Sequence, residues 1–281
     1  MATGNDLPIS DLDLWCFVDQ AAPDLPIDKH YAKGVYVDIS QYPASLLRAT
    51  DALADPYFSG YLRDAMILFD RRGDLARCQV LAREHLSSVS FRRKQLASLR
   101  ESIERNCGEF ARSIETSDAN EICRSSIFAA WSLCDHMLTD HGIPPGGGRG
   151  LARLRTASPP GHEALVEFEG ASHLASCMHT ELVETCVRVS EQSSFFQMWI
   201  DKVRWMFANG HVPDAFHALW IALGLRIKEA KTRRDERLRS QLTSASQRWL
   251  DIVGWDQPTA KGKLCSLRQI IDEYCHPVSP E

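Results

Sequence analysis

The sequence predicts an α+β protein in which a small sheet domain is followed by a helical domain. Strand-like runs are confined to the first 75 or so residues: 11–18, 34–40 and 65–69. From about Leu75 the apolar residues instead recur every three or four positions to the end of the chain. Strands gathered ahead of helices point to α+β, or to a small mixed sheet domain and a separate helical bundle. The boundary is expected near residue 80, giving domains 1–80 and 81–281.

Each element follows from local pattern. Residues 1–9 are polar, with Gly4, Asn5 and Pro8, and read as a loop into the first strand. That strand, from Asp11 to Val18, alternates Asp11 and Asp13 against Leu12 and Leu14. Ala21 to Lys33 carries two prolines and mixed charge, and reads as a loop. In the strand Gly34 to Ser40, Tyr36 and Asp38 share one face, while Val35, Val37 and Ile39 share the other. Tyr42 to Leu53 reads as a helix, ended by Asp55-Pro56. Ala65-Met-Ile-Leu-Phe69 is fully apolar and suits a buried strand, and Asp70-Arg-Arg-Gly73-Asp suits a turn.

Val89, Leu96, Leu99, Ile103, Cys107, Phe110 and Ile114 then mark one face of a long helix, with a break expected near Gly108. Ile127, Trp131, Cys134 and Leu138 mark a second, closed by His141-Gly142. Helices are also expected over 151–155, 163–168, 172–190, 195–209, 214–229, 242–253 and 267–274. The charged run Lys228 to Arg239 is expected on a helix as a solvated face.

Composition narrows the function classes. The chain has 281 residues, 44% hydrophobic and 25% charged, as is ordinary for a globular protein. A net charge of -5 argues against a general nucleic-acid-coating surface. No apolar run approaches the roughly 18 residues of a spanning helix, and no basic segment precedes an apolar one at the start. No membrane partner and no signal peptide are therefore expected. Nine cysteines without C-x-x-C spacing read as reduced thiols, and the location expected is cytoplasmic.

Ser10-Asp-Leu-Asp-Leu14 carries the chemistry. A lone D-x-D is common as a turn or a solvated strand edge. Here it enters an apolar strand, where two charges cost free energy unless something pairs with them. Asp38 on the next strand is the third carboxylate that a two-metal site requires. Nucleotidyl transfer asks the protein chiefly for positioning and charge neutralisation, which two Mg²⁺ ions about 3.5–4 Å apart supply. Mg²⁺ prefers carboxylate oxygens.

These stretches resemble the nucleotidyltransferase superfamily that includes DNA polymerase β, and within it the antibiotic-modifying kanamycin and lincosamide nucleotidyltransferases. The likeness rests on residues 10–18, on Val35-Tyr-Val-Asp-Ile39 and on residues 62–70, and covers roughly residues 1–80. It implies that Asp11 and Asp13 bind two Mg²⁺ ions, and that Asp38 binds the catalytic one and helps deprotonate the acceptor. Ser10 would lie against the nucleotide. The co-substrate would be a nucleoside triphosphate, with ATP expected. The acceptor would be a hydroxyl of a small molecule such as an aminoglycoside-like antibiotic. One departure concerns the family's Gly-Ser pair, which normally stands about ten residues before the D-x-D. Met1 holds that place, and no Gly-Ser follows Gly4.

Outside this region, Asp135 borders the apolar face of Trp131 and Leu138. It reads either as a structural aspartate or as a general base toward the acceptor. The Gly-rich stretch 145–150 lacks the Lys-Ser/Thr of a phosphate loop and reads as a connection. His136, His141, His173, His179, His211 and His217 show no zinc-ligand spacing. Two other readings stay open: a protein or tRNA acceptor at the same site, and a non-catalytic binding protein on a nucleotidyltransferase scaffold. The oligomeric state is left open.

Overall fold

The structure is a computed structural model that describes residues 12–19, 30–32, 35–48, 53, 55–143, 145, 150–171, 174, 176–190 and 194–275. It is an α+β protein that divides into two compact units, Met1–Gln95 and Leu96–Glu281. No helix among the described residues is long and apolar enough to cross a membrane.

The first unit contains a mixed three-stranded sheet. β1 (Leu12–Val18), β2 (His30–Ala32) and β3 (Val35–Pro43) lie in the order β1-β3-β2. β1 runs parallel to β3, and β2 antiparallel to it. The helices α1 (Pro56–Asp64) and α2 (Asp74–Ser87) follow. Their buried partners are Leu47, Leu53, Leu62, Cys78 and Ala82, with Phe17, Phe58 and Phe91 packed against them. The Cys78 thiol donates to the Leu47 carbonyl at 2.7 Å.

Three expectations for this unit need correction. The stretch read as a loop before Lys33 ends in β2, since His30–Ala32 finds Val35–Val37 as an antiparallel partner. The helix expected from Tyr42 is instead the end of β3 and a single tight turn, Ala44–Arg48. The buried strand expected at 65–69 is an irregular segment whose Met66, Leu68 and Phe69 are exposed. A strand needs a ladder partner, but here the Gln79 side chain of α2 takes the carbonyls of Leu62 and Ala65, at 3.2 and 2.7 Å.

The second unit is helical. It continues α3 (Val89–Thr116), which passes Gly108 unbroken, because that glycine faces open space. Leu96, Leu99, Ile103, Cys107, Phe110 and Ile114 are all buried, as their spacing predicts, whereas Val89 at the start of the helix is exposed. Next comes α4 (Ala119–Asp140), capped by the Asp118 carboxylate, which accepts from the Glu121 amide. Then follow α5 (Gly150–Ala157), α6 (Pro159–Glu169), α7 (Ser176–Ser190), α8 (Ser194–Ala208), α9 (Val212–Arg233), α10 (Glu236–Val253) and α11 (Gln257–Tyr274). The charged run 228–239 therefore does not lie on one helix. Arg234 takes a left-handed conformation (φ 55°) that ends α9, and Asp235 caps α10.

α4 and α9 are the innermost helices. Trp220 on α9 donates from Nε1 to the Cys123 carbonyl of α4 at 3.1 Å. Asn120 on α4 donates to Thr243 Oγ1 at 2.7 Å and accepts from Ser246 Oγ at 2.8 Å, which ties α4 to α10. Cys107, Cys123 and Cys134 are buried free thiols, and burial pushes Cys107 up to about 11.

The approach of α9 to α4 depends on Gly224. A Cβ there would stand 2.8 Å from Cγ2 of the fully buried, branched Ile127. Gly224→Ala is expected to lower stability by about 1–3 kcal/mol through overpacking, against a helix-propensity gain of about 1 kcal/mol. Gly161→Ala meets the flexible Met137 thioether at 2.7 Å and should cost less. Urea unfolding of both variants checks the order.

Candidate functional site

The parallel ladder of β1 on β3 pairs Asp13 with Asp38, Trp15 with Ser40 and Phe17 with Tyr42. Register partners on adjacent strands stand about 4.8 Å apart. The two aspartates singled out from separate stretches of sequence are thus direct neighbours in the sheet. Asp13 is exposed. Ser10 and Asp11 lie outside the described residues, as does most of the Gly-rich stretch 145–150. Among the described residues no three His, Cys, Asp or Glu side chains are grouped to hold a metal ion. The side chains of Asp11 and Asp38 do not belong to that set.

Strand alternation places Asp13, Trp15 and Phe17 on one face of β1. The rings confirm the register there. Phe17 stacks on Tyr42 with centroids 5.6 Å apart, and Trp15 stacks on Phe58 of α1 at 5.7 Å and 13°. Tyr42 and Tyr61 approach Trp15 at 5.0 and 5.6 Å. The face that carries Asp13 therefore continues directly into an aromatic cluster.

Asp135 belongs to the second unit. It lies on α4 with no exposure to solvent, and Gly150, at the start of α5, has its Cβ direction 3.9 Å from Asp135 Oδ1. A carboxylate beside a helix N-terminus is favourably placed by the helix dipole.

Sequence reasoning passed over a buried ion pair near Asp135. His217 of α9 and Glu169 of α6 are both completely buried, and Nδ1 of His217 lies 2.5 Å from Glu169 Oε1. Burial alone would push the imidazole pKa down, but the Glu169 carboxylate, with Asp135 and Asp214 beyond it, outweighs burial and holds it above its ordinary value. Among the described groups, Glu169 Oε2, Asp214 Oδ1 and His217 Nε2 are buried without a hydrogen-bond partner. The signal was present in the sequence as charged residues inside apolar periods: Glu169 beside Phe168, and His217 between Phe216 and Ala218.

Comparison with protein-family models, with curated proteins and with solved structures gave no match.

The Glu169–His217 pair sets a pH signature. A histidine with a raised folded pKa contributes its full stability below its unfolded value of about 6.5, and the contribution is lost as the pH climbs through the folded value. Glu169→Gln removes one partner of a buried pair and is expected to destabilise by about 3–5 kcal/mol at pH 6. The difference between wild type and variant should shrink as the pH rises to 9. Thermal unfolding followed across that range tests it; a difference that grows with pH would contradict the assignment.

Proposed function

We propose that this chain is a nucleotidyltransferase, moving a nucleoside monophosphate from a nucleoside triphosphate to a hydroxyl of a small molecule and releasing pyrophosphate. The observation that carries the reading is the parallel register that makes Asp13 and Asp38 neighbours. The resemblance of residues 10–18, 35–39 and 62–70 to the nucleotidyltransferase superfamily supports it independently.

The donor set fits magnesium. Two carboxylates on adjacent strands supply the hard oxygens that this ion prefers. Asp13 and Asp38, with Asp11 two residues before Asp13, would hold two Mg²⁺ ions. When bound, Mg²⁺ supplies neutralisation of the charge on the phosphoryl oxygens and on the departing pyrophosphate. Asp38 takes the proton of the acceptor hydroxyl. The acceptor oxygen bonds to the α-phosphorus while the bond from that phosphorus to the oxygen bridging to the β-phosphate breaks. Ser10 would contact the nucleotide, as the resemblance implies. Asp135 is assigned no step. ATP is the expected triphosphate, and a cationic acceptor such as an aminoglycoside suits a chain of net charge -5.

The purified protein, labelled nucleoside triphosphates, Mg²⁺ and a panel of hydroxyl acceptors test the reading. Wild type should transfer label. Asp13→Asn should reduce kcat/KM by about a hundredfold or more, the size of losing one electrostatic stabiliser of the transition state. Transfer that survives Asp13→Asn unchanged would remove Asp13 from the site.

A further inference from the structure

Four helices of the second unit meet around a cavity of about 400 Å³, within the range that takes a small organic molecule. The end of α3 and the start of α4 form one side, and the end of α9 and the start of α10 form the other. Its floor is apolar and closed: Ile227, Ala230 and Leu242 are all buried. Its rim is basic and open, since Arg112, Lys231 and Arg239 line it and are exposed. Three acids, Glu109, Asp118 and Glu121, complete the charged lining.

The acids are already engaged. Glu109 and Glu121 both hold the Arg124 guanidinium, Glu121 at 2.6 Å, and Glu121 also meets Lys231 Nζ at 3.2 Å. The Asp118 carboxylate caps α4 by accepting from the Glu121 amide at 3.2 Å. The rim arginines are not so held. Among the described residues the Arg112 side chain makes no ion pair or hydrogen bond. Arg239 has only Glu236, at 3.9 Å, with both side chains more than half exposed, and such a surface pair is weak. The chain around the rim adds the same sign: residues 228–239 hold six basic side chains against three acidic ones. Two guanidiniums beside a closed apolar floor are thus left without an anion.

We propose that this cavity binds a small organic dianion, its charged groups on Arg112 and Arg239 and its apolar part against Ile227, Ala230 and Leu242. A guanidinium suits this role, because its planar fork matches carboxylate or phosphate oxygens in pairs and stays charged at any working pH. With Arg124 behind the wall, four basic groups stand against three acidic ones, and the surplus lies at the rim. A phosphate monoester and a dicarboxylate share this chemistry. The site belongs entirely to the helical unit and does not depend on the nucleotidyltransferase reading.

Calorimetric titration of the full chain at low ionic strength with phenyl phosphate, phthalate and inorganic phosphate tests this. Wild type should bind phenyl phosphate or phthalate more tightly than inorganic phosphate, which has no apolar part. The tighter of the two organic anions tells a phosphate ester from a dicarboxylate. Arg112→Gln and Arg239→Gln should each weaken that anion about tenfold or more, the size of losing a charge-assisted hydrogen bond. Arg237→Gln removes the same charge from α10 outside the cavity lining, and should leave affinity within about twofold of wild type. All three arginines are exposed, so thermal unfolding without ligand should match wild type. Unchanged binding in Arg112→Gln and Arg239→Gln, or an equal loss in Arg237→Gln, overturns the proposal, the latter because only a general basic surface would remain. So does a wild type that binds neither organic anion, or binds inorganic phosphate as tightly as both.

Discussion

The pairing of β1 with β3 is the contact on which the candidate site depends. A strand has a side-chain period of two, so a slip of one residue would carry Asp13 to the opposite face and separate Phe17 from Tyr42. The aromatic stack resists that slip. Phe17 on Tyr42 and Trp15 against Tyr42 join the two strands in the observed register, and Phe58 of α1 packs on the same face of β1.

The helical unit is held differently. Its central helices use both steric fit and buried polar contacts. Gly224 sets how near α9 comes to α4, and Trp220 donates across the same interface. Asn120 joins α4 to α10 through Thr243 and Ser246, and Glu169 joins α6 to α9 through His217. Apolar contacts favour many helix placements almost equally, whereas an unmade buried hydrogen bond costs about 1–3 kcal/mol. Each polar link therefore selects one placement of its helix pair. Arg124 repeats the pattern at a more open position, where its guanidinium joins Glu121 at 2.6 Å and reaches Glu109 of α3.

The periods of the sequence carried the α+β division and the helices from α3 onward, because an amphipathic helix shows its buried stripe in its own spacing. Ile103, Phe110 and Ile127 could be placed inside without any knowledge of their partners. What depended on partners was not visible. Ala65–Phe69 has the composition of a buried strand, yet the Ala65 carbonyl accepts from the Gln79 side chain, and Met66, Leu68 and Phe69 are exposed. Three residues at His30–Ala32 are too few to show a period, and only β3 makes them a strand. Asp13 and Asp38 were legible as residue types on strand-like runs, but their adjacency is a property of the ladder. Glu169 and His217 were hidden for the opposite reason: each sits in an apolar helix period 48 residues from the other, and only the packing of α6 on α9 pairs them.

The position of β1 adds a constraint of its own. Among the described residues it is the outermost strand of the sheet, with β3 on one side only. An outer strand with free backbone groups invites pairing with another chain, and a charge within it is a common way to oppose that. Asp13 is such a charge, in a strand whose remaining residues are Leu12, Leu14, Trp15, Cys16, Phe17 and Val18. Replacing it with an apolar residue would leave a seven-residue apolar strand at the sheet margin, with the composition that favours aggregation. A polar, isosteric change at Asp13 removes the charge but still leaves a polar side chain within the strand. Effects of Asp13→Asn on activity can therefore be assigned to the carboxylate itself, whereas those of Asp13→Leu would mix lost chemistry with a newly adhesive edge.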